Sequence, residues 1–267
     1  MRITTLSSGS SGNCTLLSDG GTHILIDAGI STKRITNALM CVGLTPEDIS
    51  AVLVTHEHGD HIYGLRTMTK KHHIPLFAPK TVGNCLCCSI PGAEELMTSV
   101  IPGESFCLGG LEILAFSTPH DTPQSVGYVV HGSQTASVCT DLGHVPDSVF
   151  YSLQGTDVVL LESNHDEDML RNGEYPFFLK RRILSDHGHL SNETCASLAA
   201  DLAASGTSGI ILAHLSTENN TPEIARETVS RALVRRGFVP DINIRLEIAP
   251  PGDSFTLDLT EGSVCSA

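Results

Sequence analysis

The residues from His56 to His61 are the part of this sequence best suited to chemistry. Three imidazoles and a carboxylate, those of His56, His58, Asp60 and His61, fall within six consecutive positions. Imidazole and carboxylate are ligand types that suit zinc, manganese and iron, and four such groups on one turn would repel and desolvate one another without a cation. The spacing therefore predicts a dinuclear metal site.

The residues before this motif, Ala51 to Val54, are apolar and β-prone, which places the motif between a strand and a helix. His56 and His58 are two positions apart and project to the same side of the turn. Asp60 and His61 begin the next helix and point at a neighbouring position. One loop therefore supplies ligands to two ions, an interpretation that we prefer to a histidine-rich surface loop.

Each ion still needs further ligands, and the sequence offers three candidates after apolar runs. These are His120, Asp141 and His214, each of which precedes a turn. Ligands carried on loops at the ends of rigid strands are common in enzymes. A carboxylate that bridges the two ions would be the economical way to complete both sites.

Short β-prone runs separated by Gly, Pro, Asp and Ser indicate the elements that position these residues. The predicted strands are 24–26, 51–54, 111–116, 126–130 and 136–139; the predicted helices begin after Thr45, run from Ser191 to Ala204, and run from Thr221 to about Arg236. This pattern favours an α+β protein in which two sheets pack together with helices outside. No linker or repeat interrupts the chain, so we predict a single domain over residues 1–267.

The formal net charge of −14 argues against loose, charge-driven binding to nucleic acids or anionic membranes. A local basic segment is still present. It contains Arg171, Lys180, Arg181 and Arg182, beside the aromatic residues Tyr175, Phe177 and Phe178. Two interpretations remain open for this segment, a solvated helix face with a buried aromatic staple and a surface that contacts phosphate.

Nine cysteines, an odd number without a regular framework, indicate reduced thiols rather than a disulfide scaffold. Neither a signal peptide nor a run of the roughly 20 apolar residues needed to cross a bilayer is visible. We therefore expect a soluble, cytoplasmic protein without a membrane partner.

The ordered ligand set resembles that of the metallo-β-lactamase superfamily, whose hallmark is H-x-H-x-D-H followed by later His, Asp and His ligands. More narrowly, the chain is similar to the YycJ/WalJ subgroup, described as DNA exonucleases. The matching segments are 8–13, 26–29, 162–166, 180–186, 188–193 and 212–216. Several long motifs in the same order make this resemblance specific.

The resemblance implies a four-layer αββα sandwich with the site at one edge of the sheets. It implies two divalent ions (Zn, Mn or Fe), one held by His56, His58 and His120, the other by Asp60, His61 and His214, with Asp141 bridging them. Asp27 would orient the ligand loop, a role that metal-bound histidines generally require of a neighbouring group. We expect Glu162 to accept a hydrogen bond from a ligand histidine in the same way.

Other residues are candidates for contact with a substrate. His189 lies at the start of a helix, where its imidazole, Ser191, Asn192 and the free backbone N–H groups would converge on an anion. A similar histidine contacts the scissile phosphate in the related β-CASP nucleases, whereas a simple helix cap is the alternative. Asn164 and His165, which follow Glu162, and the basic residues Arg171, Lys180, Arg181 and Arg182 are further candidates.

The resemblance implies a phosphodiesterase that degrades DNA as a 5′ to 3′ exonuclease, with a metal-bridging hydroxide as the nucleophile. Asp60 would orient the attacking water and accept its proton, and His189 would act at the leaving oxygen. Two other interpretations stay open. One is hydrolysis of an acyl substrate (a thioester, lactone or β-lactam), against which the basic segment argues, and the other is a binding module with a structural metal.

Overall fold

Two seven-stranded β-sheets pack face to face in the computed structural model, which describes residues 1–259. The first part of the chain contains the strands β1 (Arg2–Ser7), β2 (Cys14–Asp19), β3 (Thr22–Ile26), β4 (Ala51–Leu53), β5 (Leu76–Pro79) and β6 (Met97–Val100). Its helices are α1 (Thr32–Cys41), α2 (Gly59–Ile62), α3 (Leu65–His72) and α4 (Lys80–Ser89). Single 3₁₀ turns lie at Pro46–Asp48 and Ala93–Glu95.

The second part of the chain forms the other sheet and its helices, and its last strand joins the first sheet. Its strands are β7 (Ser105–Leu108), β8 (Leu111–Ser117), β9 (Val126–His131), β10 (Thr135–Cys139), β11 (Val158–Glu162), β12 (Gly209–Ala213), β13 (Arg245–Ile248) and β14 (Phe255–Asp258). Its helices are α5 (Asp147–Leu153), α6 (Glu167–Asn172), α7 (Phe177–Ile183), α8 (Asn192–Ala204) and α9 (Pro222–Arg235).

Both sheets combine antiparallel and parallel strands. The order of the first sheet is β14-β1-β2-β3-β4-β5-β6, in which the pairs up to β2-β3 are antiparallel and the pairs from β3-β4 onward are parallel. The order of the second is β13-β12-β11-β10-β9-β8-β7, with parallel pairs from β13 to β10 and antiparallel pairs from β10 to β7. Because β3 is parallel to β4, and β10, β11 and β12 are parallel to one another, the loops that follow these strands emerge at one edge of each sheet.

Alternate residues of the central strands enter different layers of the core. Ile24 and Ile26 of β3 pack between the sheets, whereas Leu25 packs against the helices outside the first sheet. Likewise, Val158 and Leu160 of β11 face the first sheet, and the residues between and after them face α8 and α9. Side chains of a strand point alternately to its two faces, so strands covered on both faces read as continuous apolar runs. The predicted four-layer αββα sandwich is confirmed.

The predicted strands and the two long predicted helices are present at nearly the predicted bounds. The helix predicted after Thr45 is wrong in extent, because it is a single 3₁₀ turn at Pro46–Asp48. The carboxylate of Asp48 turns back to the backbone N–H of Thr45 at 2.7 Å and closes this turn. Strand β4 then begins at Ala51, which leaves no room for a longer helix.

The eight cysteines within residues 1–259 are free thiols, in agreement with the predicted absence of a disulfide scaffold. Over the same residues, none of the helices combines the length and the apolar character that a bilayer crossing requires.

Candidate metal centre

The seven predicted ligands lie together at the carboxyl ends of the strands. His56 and His58 follow β4, Asp60 and His61 belong to α2, His120 follows β8, Asp141 follows β10, and His214 follows β12. The two sheets thus contribute to one site from opposite sides. Side chains from four separate segments converge because their strands end at the same edge of the sandwich.

Three of the four groups of candidate ligand atoms found among residues 1–259 consist of predicted ligands, and the fourth combines Asp141 and His214 with Glu162 and His189. Within each of the groups His56–His58–His120, Asp60–His61–His214 and His56–His61–Asp141, the candidate ligand atoms lie within 4.8 Å of one another. Nε2 of His56 lies 3.1 Å from Nδ1 of His58, and Nε2 of His61 lies 3.3 Å from a carboxylate oxygen of Asp141. Asp141 belongs to a group that joins the two sides, as expected of a shared ligand.

The backbone is strained at three positions around this site. Asp27, Asp141 and His214 have positive φ angles of 61°, 60° and 55°, in the left-handed region that side chains other than glycine rarely adopt. Each of the three directly follows a central strand or comes two residues after it. Such strain costs on the order of 1–3 kcal/mol per residue and concentrates at functional sites.

Two buried polar atoms in the site have no hydrogen-bond partner among residues 1–259. They are Oδ2 of Asp141 and Nε2 of His214, and both residues are about 2% exposed. A buried polar group without a partner costs about 1–3 kcal/mol. Both atoms are metal-ligand types, and the donor set of nitrogen and oxygen atoms without thiolate suits zinc, manganese or iron. The residues present therefore fit divalent metal ions.

Burial and the neighbouring charges together set the pKa values of the candidate ligand histidines. Burial lowers the pKa of His56 well below its usual range, and the neighbouring His61 lowers it further. At His214 burial acts in the same direction, but the carboxylates of Asp141, Asp60 and Glu162 outweigh it and raise the pKa of His214 to about 10. The buried carboxylates thus stabilise positive charge at this point, whether it is carried by protons or by a metal ion.

Asp27 holds one ligand histidine in position. Its Oδ2 accepts hydrogen bonds from Nδ1 of His61 at 2.7 Å and from the hydroxyl of Thr55 at 2.8 Å, and its Oδ1 accepts one from the backbone N–H of Thr55. With Nδ1 occupied, Nε2 of His61 faces Asp60 and Asp141. Hydrogen bonds of this kind fix the ring orientation and tautomer of metal-binding histidines.

Glu162 has the same relation to two histidines. Its Oε1 accepts hydrogen bonds from Nδ1 of His214 and from Nδ1 of His189, both at 2.8 Å. Its Oε2 accepts the backbone N–H groups of Leu142 and Leu190 at 3.1 Å. These bonds and the charge on His189 outweigh burial and lower the pKa of Glu162 to about 2. The carboxylate therefore stays ionised and links a candidate ligand to a candidate substrate contact.

A cavity of about 250 Å³ opens over the ligands. Its wall includes His58, Asp60, His120, Asp141 and His214. The other wall residues are Ser10, Asn164, Tyr175, Leu179, Arg182, Ile183, His189 and Ser216. The side chain of His189 is 19% exposed, so the ring nitrogen not bonded to Glu162 is available to a molecule in the cavity.

Of the predicted substrate contacts on the loop and helix next to His189, one lines the cavity and three do not. Asn164 lines the cavity, and its Nδ2 donates to the backbone carbonyl of His214 at 2.9 Å. His165 is only 1% exposed, lies outside the cavity wall and has a pKa lowered to about 4 by burial. Ser191 caps α8 through the backbone N–H of Thr194, and Asn192 is fully buried against Ser163. The side chains of Ser191 and Asn192 therefore stabilise the fold in this conformation, whereas that of His165 is buried with neither ring nitrogen hydrogen bonded within residues 1–259.

The four basic residues of the basic segment also differ in their contacts. Nζ of Lys180 donates to the carbonyls of Arg171 and Gly173, which ties α7 to the end of α6. Arg171 pairs with Glu167 one helical turn away. Arg182 lines the cavity and donates to Asp121, and the guanidinium of Arg181 lies 6.0 Å from the ring centre of Phe177. Arg182 and Arg181 thus remain available near the cavity.

The interpretation of a buried aromatic staple is wrong. Phe177 and Phe178 are 76% and 74% exposed, and none of the residues of α7 is buried. The helix lies at the rim of the cavity, where it contacts the site through Leu179 and Ile183 rather than through its phenylalanines.

Sequence reasoning missed two polar residues beside the ligands. Nδ2 of Asn13 lies 3.1 Å from Nε2 of His61 and 3.4 Å from Asp60, and Asp121 lies 3.3 Å from Nε2 of His120. Asn13 belongs to a serine- and glycine-rich loop whose composition is too common to indicate a site. Asp121 follows a predicted ligand directly, and that adjacency was the one signal available.

Comparison with known proteins gives matches over most of the chain. A family model described as a beta-lactamase superfamily domain matches residues 22–215. Exodeoxyribonuclease YycJ of Bacillus anthracis is 38% identical over 242 residues, which cover 89% of this chain and 91% of that protein. Exodeoxyribonuclease WalJ of Streptococcus pneumoniae is 35% identical over 253 residues, covering 92% and 93%.

The similarity extends to solved structures. The crystal structure of Zn²⁺-bound PqqB from Methylobacterium extorquens matches with a TM-score of 0.70 over 97% of this chain and 100% of that one. The two sequences are 18% identical, so this match concerns the fold alone.

Proposed function

This chain belongs to the metallo-β-lactamase superfamily, and from that membership and its site we propose that it is a metal-dependent phosphodiesterase that degrades DNA as an exonuclease. The observation that carries the choice of substrate is the similarity to two proteins named exodeoxyribonucleases, which covers about nine-tenths of each chain. The geometry of the site supports hydrolysis, since histidines and aspartates converge under an open cavity.

We propose that the site holds two divalent ions, one on His56, His58 and His120 and the other on Asp60, His61 and His214. Asp141 is the candidate for the shared ligand. When bound, such ions supply a water of lowered pKa and neutralise the oxygens of a phosphodiester. The grouping of the ligand atoms and the unsatisfied atoms of Asp141 and His214 support this assignment.

The residues of the chain position the reacting groups. The Asp60 side chain is 28% exposed at the cavity, and the nearby rings of His214 and His61 outweigh its partial burial and hold its pKa far below the usual range. A carboxylate kept ionised in this way suits the binding and orientation of the attacking water. His189, held by Glu162 through Nδ1, is placed to donate a hydrogen bond to the departing sugar oxygen.

Arg182 is the candidate for holding the phosphate chain next to the cleaved bond. It lines the cavity and is oriented by Asp121, which itself lies beside His120. Arginine binds phosphate oxygens through parallel N–H groups, so one well-placed side chain gives both charge and direction. The 5′ to 3′ polarity remains part of the proposal and rests on the resemblance to the subgroup. A DNA substrate and eight free thiols both suit a cytoplasmic location.

An acyl substrate is not favoured as the alternative. The two curated relatives described above, which match over about nine-tenths of the chain, are named exodeoxyribonucleases. Arg182 in the cavity wall would also have no phosphate to bind in a thioester, lactone or β-lactam.

The test is digestion of end-labelled DNA and RNA by protein whose metal content has been measured. The protein is stripped with a chelator, reloaded with Zn²⁺, Mn²⁺ or Fe²⁺, and given single- and double-stranded substrates labelled at the 5′ or the 3′ end. We expect DNA to be shortened from the 5′ end in the presence of metal only. Turnover of a thioester or nitrocefin without cleavage of DNA or of bis(p-nitrophenyl) phosphate would overturn the proposal.

A further inference from the structure

Two consecutive phenylalanines, neither of which lines the cavity, are exposed on α7, the helix that forms part of the cavity wall. Phe177 and Phe178 are 76% and 74% exposed, although the chain has only eight phenylalanines and no tryptophan to build its core. Leaving two large apolar rings in water forgoes the stabilisation that burial of each would give. A role for these rings in binding would account for their position.

The geometry of α7 relates these rings to the cavity. Leu179, Arg182 and Ile183 line the cavity, so this side of the helix faces the candidate metal ligands. Residues four positions apart are neighbours on a helix, which places Phe178 beside Arg182 and Phe177 beside Arg181. The guanidinium of Arg181 lies 6.0 Å from the ring centre of Phe177, in agreement with this spacing.

The helix that carries the rings is held in place from below. Nζ of Lys180 donates hydrogen bonds of 2.8 Å and 2.6 Å to the carbonyls of Arg171 and Gly173. Arg182 is anchored to Asp121. The phenylalanines are therefore presented outward from a helix that is fixed at both its middle and its end.

We propose that Phe177, Phe178 and Arg181 form an aromatic ledge on which the unpaired bases of a single DNA strand stack while a phosphate of the same strand lies in the cavity. This inference rests on the proposed function and extends it to the form of DNA that is bound. Bases stack on aromatic side chains irrespective of sequence, because every base has a π-face. Bases inside a duplex have no free faces, so the ledge selects a single-stranded or frayed end.

The net charge of the chain supports the need for such a contact. At −14, the protein as a whole repels DNA, and the basic residues near the cavity include several that are already paired within the protein. Proteins that bind nucleic acid mainly through phosphates are rich in basic residues, whereas this chain has 16 basic and 30 acidic residues. Stacking supplies affinity that does not depend on net charge.

The experiment measures binding of oligonucleotides to the metal-loaded, full-length protein. The oligonucleotide has phosphorothioate linkages that resist cleavage and 2-aminopurine near its 5′ end, whose fluorescence falls on stacking. The test variant is Phe177→Ala/Phe178→Ala, and Phe178→Trp is the conservative variant. Tyr151→Ala is the matched control, because Tyr151 is 67% exposed on α5 and is not part of the cavity wall.

We expect the double alanine variant to bind the single strand about 10- to 100-fold more weakly and to lose the fluorescence change. Phe178→Trp and Tyr151→Ala should bind like the wild type. An abasic oligonucleotide of the same length, which keeps the phosphates and lacks the bases, should bind the wild type and the double variant equally.

Three results would overturn the ledge. If the double variant binds and cleaves single-stranded DNA like the wild type, the ledge is wrong while the proposed nuclease stands. If the wild type neither binds nor cleaves DNA, both proposals are wrong. If the variant changes only the elution volume of the protein in size-exclusion chromatography, the rings contact another protein chain and not DNA.

Discussion

The two ends of the β-sandwich differ in whether their buried or partly buried carboxylates are fully hydrogen bonded within the protein. At the end where β2 leads into β3, Asp19 accepts hydrogen bonds of 2.6 Å from both the backbone N–H and the hydroxyl of Ser133, and its carboxylate lies 3.3 Å from the amino group of Met1. At the other end, Asp141 is buried, and its Oδ2 accepts no hydrogen bond from residues 1–259 although Nε2 of His61 lies 3.3 Å away. At the first end the carboxylate oxygens are bound by protein groups. At the second end a buried oxygen without a hydrogen bond is a candidate ligand for an ion.

The backbone shows the same contrast. The turn from β2 to β3 needs two residues with positive φ, and both are glycines, Gly20 and Gly21. At the metal end, Asp27, Asp141 and His214 adopt positive φ although each has a side chain. Glycine accepts this conformation at little cost, so the presence of aspartate or histidine at these three positions indicates that side-chain chemistry outweighs strain there.

The most severe test of this contrast is Asp141→Asn. The amide replaces one carboxylate oxygen by an N–H donor and removes the charge of the candidate shared ligand. We expect the variant to lose metal and to hydrolyse phosphodiesters more than 100-fold more slowly, beyond the roughly 10- to 100-fold typical of losing an outer hydrogen-bond partner. Metal content by elemental analysis and turnover of bis(p-nitrophenyl) phosphate provide the measurement.

The control for this variant is Asp186→Asn, at an exposed aspartate in the loop before His189. It should retain both metal and activity. Full metal content and full activity in Asp141→Asn would show that Asp141 is not needed to hold an ion, and the contrast with the end around Asp19 would then be wrong.

A smaller effect is expected from Glu162→Gln, which alters the contacts of the ligands and leaves the ligands themselves in place. A glutamine in this position would turn an N–H group toward the backbone N–H groups of Leu142 and Leu190, or toward the two histidine Nδ1 atoms. We expect metal affinity and activity to fall about 10- to 100-fold. Competition with a chromophoric chelator measures the affinity.

Glu167→Gln is the matched control for Glu162→Gln, because the Glu167 side chain is 43% exposed and pairs with Arg171 in the surface ion pair on α6. Surface pairs of this kind contribute about 0–1 kcal/mol. Equal metal affinities in the two variants would mean that the orientation of His189 and His214 does not depend on Glu162.

Much of the metal centre was predictable from local sequence. His56, His58, Asp60 and His61 are contiguous and follow a recognisable strand, and the later ligands each follow an apolar run. Strands that end at the same edge of a sandwich bring the residues that follow them close together. The position of each candidate ligand directly after an apolar run therefore predicted that these residues would meet. The strands themselves were evident because both faces of their sheets are covered, which requires continuous apolar runs.

What the sequence did not reveal depends on contacts between distant segments. Lys180 resembled a phosphate contact, yet its ammonium group binds carbonyls at the end of α6. Phe177 and Phe178 resembled core residues, yet α7 lies at the cavity rim with no layer above it. In both cases the residue type is compatible with two environments, and tertiary packing decides between them.

The end around Asp19 gives a prediction about pH. Hydrogen bonds from Ser133 and the nearby Met1 amino group outweigh partial burial and lower the pKa of Asp19 below its usual value. A carboxylate whose pKa is lower in the folded state stabilises the fold above its unfolded pKa of about 3.9, and this contribution is lost as the pH falls through the folded pKa. Asp19→Asn should therefore lower the free energy of unfolding by about 1–2 kcal/mol at pH 7.

Urea denaturation of the wild type and Asp19→Asn at pH 7 and near pH 3 measures this difference. The gap between the two proteins should narrow at the lower pH, where the wild-type carboxylate begins to be protonated. A gap that is constant with pH would assign the effect to the shape of the hydrogen bonds and not to the charge.

The smallest expected effect comes from backbone strain at position 141. It is measured by comparing Asp141→Gly with Asp141→Ala. Both variants lack the candidate shared ligand, so neither should differ from the other in metal content. Glycine adopts a φ of 60° without the steric cost that alanine meets, although its greater freedom in the unfolded chain offsets part of the gain. We expect metal-free Asp141→Gly to be more stable than metal-free Asp141→Ala by a few tenths to about 1 kcal/mol in urea denaturation. If alanine were equally stable, the backbone at this position would relax once the carboxylate is gone, and the strain would belong to the aspartate's contacts and not to the turn.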